Sequence, residues 1–157
     1  MEQLIAILTD IAISYGSWGM FVAAFLAGSI LPFSSESVML ALLAAGVSPW
    51  TLLLMASTGN SLGGITCYYI GRLGKTEWIE RYLRISHERI EKTKAFLHGR
   101  GAVMALFVAL PYVGDAIVVV LGLMRSNVYL TTLTMLIGKA VRYALIILAI
   151  EGVNSLI

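Results

Sequence analysis

Residues 31–38 read LPFSSESV and residues 110–117 read LPYVGDAI. Leucine, proline, an aromatic ring, an acid and a β-branched residue recur at identical spacing, 79 positions apart. Gly59-Asn60 and Gly138-Lys139 repeat at the same separation. Around each proline the chain keeps one order: a short apolar run (18–31; 101–110), a proline-polar-acid turn, a second short run (38–47; 116–124), and a long segment (50–71; 128–150). At about 1.5 Å per residue the first run of 14 reaches only about 21 Å, short of the roughly 30 Å hydrocarbon core. The long segments do reach across.

Two short arms joined by a polar, proline-bearing turn predict a re-entrant hairpin that enters and leaves by one face, with Pro32 and Pro111 at the turns. The alternative is a pair of spans kinked at proline. If each half crosses once, the second half enters from the opposite face, giving the inverted repeat common among secondary transporters. The expected fold is therefore an all-α integral membrane protein, each repeat being a hairpin plus a transmembrane helix. Expected boundaries are an N-terminal helix at 1–16, repeat 1 at 17–71, a connector at 72–100 and repeat 2 at 101–152, all in one membrane domain. The N-terminal helix is expected to lie at the membrane interface or pack on the bundle, with the start of a tilted span as the alternative.

Composition agrees. The chain has 157 residues, 59% hydrophobic and 13% charged, with mean hydropathy +0.87. Soluble domains carry about 25% charged residues, so an ordinary soluble enzyme and a nucleic-acid module are excluded. Residues 72–100 hold eight basic and four acidic side chains, the rest three basic and five acidic. The positive-inside rule predicts that the connector is cytoplasmic. It reads as a pair of short amphipathic helices: Thr76 and Ser86 are placed to cap them, Glu77–Arg81 and Glu80–Arg84 are i,i+4 pairs, and Ile79, Leu83, Ile90 and Leu97 fall near one face. A membrane-surface position suits them; a partner-docking site is the alternative. No basic residue precedes Arg72, so a cleaved signal peptide is not expected.

Candidate chemistry lies in the charged residues set among apolar ones. A carboxylate at membrane depth costs about 3 kcal/mol on insertion scales, which marks Glu36 and Asp115 as transport or proton-carrying candidates. Low dielectric favours the neutral acid, so either is suited to carry a proton. Each is also placed to cap the half-helix that follows. Lys139 and Arg142, one turn apart in the last span, imply an interior partner, a carboxylate or a lipid phosphate. Arg125 closes the second hairpin as a further phosphate-binding candidate or an interfacial cation. Gly59-x-x-x-Gly63, with Gly64, is a close-packing surface, and Asn60 beside it is a candidate ligand for a hairpin tip. One cysteine and two histidines leave no metal site, and no dinucleotide, phosphate-loop or metalloprotease motif occurs. No cofactor, metal or enzyme activity is expected.

LPFSSESV, GNSLGGITCYYIGR, HGRGAVMALFVALP and GKAVRYALI together resemble the DedA superfamily of SNARE-associated or VTT-domain membrane proteins, over roughly residues 18–150. The resemblance implies an inverted repeat with two re-entrant loops and a role in lipid translocation or proton-dependent membrane homeostasis. Glu36 matches the family's acidic first loop. Val108 and Gly114 stand where many members carry arginines at the second hairpin, and Asn60 where they often carry aspartate. Lys139 and Arg142 are the cations left to meet a phosphate. The expected function is movement of a phospholipid or polyprenyl-phosphate-like lipid between leaflets, with proton coupling. The alternatives are a proton- or cation-coupled small-solute transporter and a non-transporting homeostasis factor. Lipids, protons and a second copy of the chain are the expected partners; nucleic acid is not.

Overall fold

A capping serine, two left-handed turns and a ridge of small residues shape the helices. The computed structural model describes residues 14–29, 34–74, 86–97 and 114–154, with positions 7, 11, 77 and 81. Residues 1–6, Pro32, Pro111, the approach 101–110 and most of the first connector helix lie outside the described residues. Regular structure among the described residues is entirely helical: α1 Ser17–Gly28, α2 Ser35–Ala44, α3 Pro49–Arg72, α4 His87–Leu97, α5 Gly114–Leu123 and α6 Val128–Asn154.

Ser34 caps α2, its hydroxyl accepting from the Ser37 amide at 3.4 Å. The polar residues 35–37 therefore form the first helical turn, three residues before the apolar run begins. The helix stops where Gly46 turns left-handed (φ 83°). There Val47 N donates to Leu42 O and Gly46 N to Leu43 O, both at 3.0 Å, a Schellman closure. At the end of α5, Ser126 N donates to Leu121 O and Arg125 N to Gly122 O, with Arg125 at φ 52°. The helices α2 and α5 have ten residues each, and their first residues, last residues and left-handed residues are all 79 apart. So are Pro49 and Val128, which open the long helices. Asn127 caps α6, its Oδ1 accepting from the amides of Tyr129 at 3.0 Å and Leu130 at 3.1 Å.

On α3, Gly59, Gly63, Cys67 and Gly71 form one ridge at four-residue spacing. A Cβ on Gly59 would collide with the Phe21 carbonyl, and one on Gly63 with the Phe25 carbonyl. Cys67 Sγ donates to Ser29 O at 3.3 Å. Each contact advances four residues on both helices, so α1 and α3 run parallel with their backbones touching. The same ridge receives α5, since a Cβ on Gly71 would strike Val119 O. Along α6 the buried positions are Thr131, Met135, Gly138, Lys139, Tyr143 and Ile147. Leu133, Ile137, Val141, Leu145 and Leu148 are exposed. Polar inside and apolar outside is the pattern of a helix whose flank faces hydrocarbon.

Val128–Gly152 is, among the described residues, the helix both long and apolar enough to cross a membrane. With 24 residues α3 spans about 36 Å. Ser57, Thr58, Asn60, Ser61 and its glycines lower its hydropathy, and of these polar side chains only Thr58 is exposed. In α4 the expected Ser86 cap is present, with Arg89 N donating to Ser86 Oγ at 3.4 Å. The apolar face of α4 is not free for a membrane surface: Ile90 and Leu97 are fully buried in one cluster with Val118–Leu121 of α5. On its exposed side the Lys94 ammonium, hydrogen-bonded at 2.8 Å, holds the Glu91 carboxyl below its ordinary value.

Two stability effects follow. Gly63→Ala should destabilise the fold by about 1–3 kcal/mol through backbone overpacking. Arg125→Gly should stabilise it by about 1 kcal/mol by relieving a left-handed non-glycine residue. Denaturant unfolding in detergent, followed by circular dichroism, measures both.

Candidate functional site

The long helices cross antiparallel at their midpoints. Gly64 faces Met135 and Lys139, while Asn60, one turn earlier, meets Lys139 and Tyr143. Lys139 is 3% exposed and donates from Nζ to the Asn60 carbonyl at 2.6 Å. Gly64 lies beside this bond, where a Cβ would stand 2.5 Å from Met135 Sδ and 3.1 Å from Lys139 Nζ, the flexible ends of both side chains. The same Asn60 carbonyl lies against Gly28 of α1, where no Cβ would fit. Asn60 and Lys139 are themselves 79 residues apart.

Beside this contact lies a network centred on Tyr143. Its hydroxyl shares a 2.7 Å hydrogen bond with Ser35 Oγ and accepts from Asn60 Nδ2 at 3.0 Å. Ser35, Asn60 and Tyr143 are all buried. Next to it, Arg142 Nη2 donates to Glu36 Oε1 in an ion pair whose side chains are 29% and 31% exposed. Glu36 Oε2 also accepts from Ser34 Oγ at 3.2 Å. The first turn of α2 therefore sits against the middle of α6, about 20 Å from either end of that helix. Ser34, not Glu36, caps α2, leaving the carboxylate to the arginine.

Glu36, Asn60, Lys139 and Arg142 thus come together. Asp115 is the second residue of α5, the same place that Glu36 holds in α2, but its side chain lies outside the described residues. Arg125 is not brought to this cluster; it forms the exposed turn after α5, where Tyr68 Oη donates to the neighbouring Ser126 carbonyl. Gly59, Gly63 and Gly64 lie at the helix contacts described above. Sequence reasoning overlooked Tyr143 and Ser35. Tyr143 was findable, because it stands four residues after Lys139 on the same buried face. Among the described residues no cluster of His, Cys, Asp or Glu is arranged to hold a metal ion.

The chemistry available is an arginine fork whose carboxylate partner is one-third open to the surroundings, backed by neutral hydroxyl and amide groups. Such a fork can exchange a carboxylate for a phosphate. Tyr143→Phe should cost about 1–3 kcal/mol, because Ser35 and Asn60 would be left buried without this partner. Thermal unfolding in detergent measures it, with Val141→Ala as the lipid-facing control.

The VTT domain family matches residues 31–152. The Inner membrane protein YqaA of Escherichia coli K12 is 36% identical over 127 residues, covering 80% of this chain and 84% of that protein; its Shigella flexneri counterpart gives the same figures. An uncharacterized protein of Haemophilus influenzae is 33% identical over 132 residues, covering 79% and 80%. No solved structure matches the chain significantly.

Proposed function

The chain belongs to the VTT-domain family of DedA membrane proteins, and from that premise we propose that it carries an anionic lipid between the leaflets of a bacterial inner membrane. The inner membrane is the one named for the Escherichia coli relative. The observation that carries the reading is the Glu36–Arg142 pair, partly open at the middle of a membrane-length helix.

Hydrocarbon outside and a fully buried network inside make this pair the rim of a polar seam. Arg142 lies between the buried stripe Lys139–Tyr143 and the exposed apolar stripe Val141–Leu145. A lipid phosphate arriving along that rim replaces the Glu36 carboxylate on the guanidinium. Tyr143, Ser35 and Asn60, buried and hydrogen-bonded to one another, hold α2 and α3 in place behind the arginine. The acyl chains stay outside, against Val141 and Leu145. Released from Arg142, the Glu36 carboxylate takes up a proton, which avoids a bare charge at that depth. Losing the proton restores the ion pair and expels the phosphate. Protonation and lipid exchange are thereby coupled at one side chain.

An inverted repeat of re-entrant hairpins supplies the frame for this reading. Three contacts support it. Antiparallel α3 and α6 meet at the repeat-equivalent residues Asn60 and Lys139, as residues on a two-fold axis do. Each short helix also leans on the long helix of the other half: α2 on α6 through Ser35–Tyr143, α5 on α3 through Val119–Gly71. And α2 begins at mid-height, where a hairpin tip belongs. In this frame the 72–100 connector is cytoplasmic, and transport rather than catalysis is the activity.

In proteoliposomes with labelled phosphatidylglycerol, Arg142→Gln should lower transbilayer flux by at least about tenfold, the worth of a charge-assisted contact. Glu36→Gln should make the remaining flux insensitive to pH. Unchanged flux in Arg142→Gln overturns the reading; proton flux without lipid flux turns it toward a small solute.

A further inference from the structure

A groove lies at the far end of the same two long helices. Ile65, Tyr69, Val128, Tyr129, Thr132 and Leu133 line a largely apolar groove of about 380 Å³ between the last turns of α3 and the first turns of α6. Tyr69 and Tyr129 rim it, both largely exposed; the Tyr69 ring is held edge-on to Tyr68 with centroids 5.6 Å apart. Tyrosines at the ends of membrane-length helices mark the headgroup level.

Two arginines flank this end. Arg72 closes α3, and its backbone amide lies against Gly122 of α5. Arg125 follows three residues later, in the turn that Tyr68 fastens through Ser126 O. Both are exposed, and among the described residues neither pairs with a carboxylate. Arg125 occupies a left-handed position where the repeat-equivalent residue is Gly46. Packing gives no reason for a charged side chain there. In sequence the adjoining 72–100 segment carries eight basic and four acidic residues.

We propose that this groove holds one acyl chain of an anionic glycerophospholipid whose headgroup rests on Arg72 and Arg125. Charge complementarity selects the occupant: the groove is apolar where a chain would lie and cationic where a phosphodiester would sit. The site is distinct from the mid-helix seam and does not rest on the transport reading. Its lipid is a fixed companion that ties the α5–α6 turn to the end of α3.

Native mass spectrometry of the full chain in detergent, equilibrated with equal amounts of phosphatidylglycerol and phosphatidylcholine of matched chains, tests it. The wild type should retain one phosphatidylglycerol in clear preference. Arg72→Gln and Arg125→Gln should each lower that preference about fivefold, the worth of one interfacial cation. Arg125→Gly should lower it equally while folding at least as well, which separates lost charge from lost structure. Thr132→Trp, filling the groove, should lower retention of both lipids. Equal retention by the wild type, or a preference surviving in the Arg72→Gln/Arg125→Gly double variant, overturns the proposal.

Discussion

A buried ammonium decides how the two long helices meet. Lys139 is placed at the centre of α6 with almost no exposure, and a charge there must be hydrogen-bonded or be expelled. It reaches a backbone carbonyl, that of Asn60, beside Gly64. The same carbonyl seats Gly28, so α1, α3 and α6 are all registered on one peptide group. Sliding α6 along α3 by one turn would bury a charge without that acceptor, and sliding α1 would bring a side chain against the carbonyl for which Gly28 leaves room. The Tyr143 network and the Glu36–Arg142 pair are one turn from this point and take their positions from it.

The two short helices are held by different means. Glycines let α5 press its backbone onto α3 at Gly71 and Gly122. Such contacts are many and non-directional, and they separate only at considerable cost. The α2 helix meets α6 through Ser35–Tyr143 and Glu36–Arg142 beside the fully buried Val38, Met39 and Leu42, which share one apolar cluster with Tyr143 and Ile147.

Much of this organisation was legible in the residues. The repeat spacing, the short arms and the long segments follow from where prolines and acids interrupt apolar runs, and α2 to α6 fall where that pattern puts them. Boundaries were less legible. The knot Ser35–Glu36–Ser37 reads as a turn by polarity, yet one hydroxyl at Ser34 is enough to make it helical. The pairing of Glu36 with Arg142 spans 106 positions and depends on helix rotation, which periodicity does not convey. Tyr143 was overlooked because an aromatic residue in an apolar span passes as packing until its hydroxyl is seen to bridge Ser35 and Asn60. The face carrying Ile90 and Leu97 was assigned to the membrane because amphipathicity names an apolar side, not what covers it.

The matched turns at Gly46 and Arg125 bear on how such a chain is threaded into a bilayer. Their backbones are interchangeable, so a single ancestral module could have served in both places. Under the proposed inverted arrangement the two turns would emerge on opposite sides, which the insertion machinery distinguishes chiefly by cationic residues. One copy keeps the bare glycine that its geometry favours; the other accepts a strained arginine.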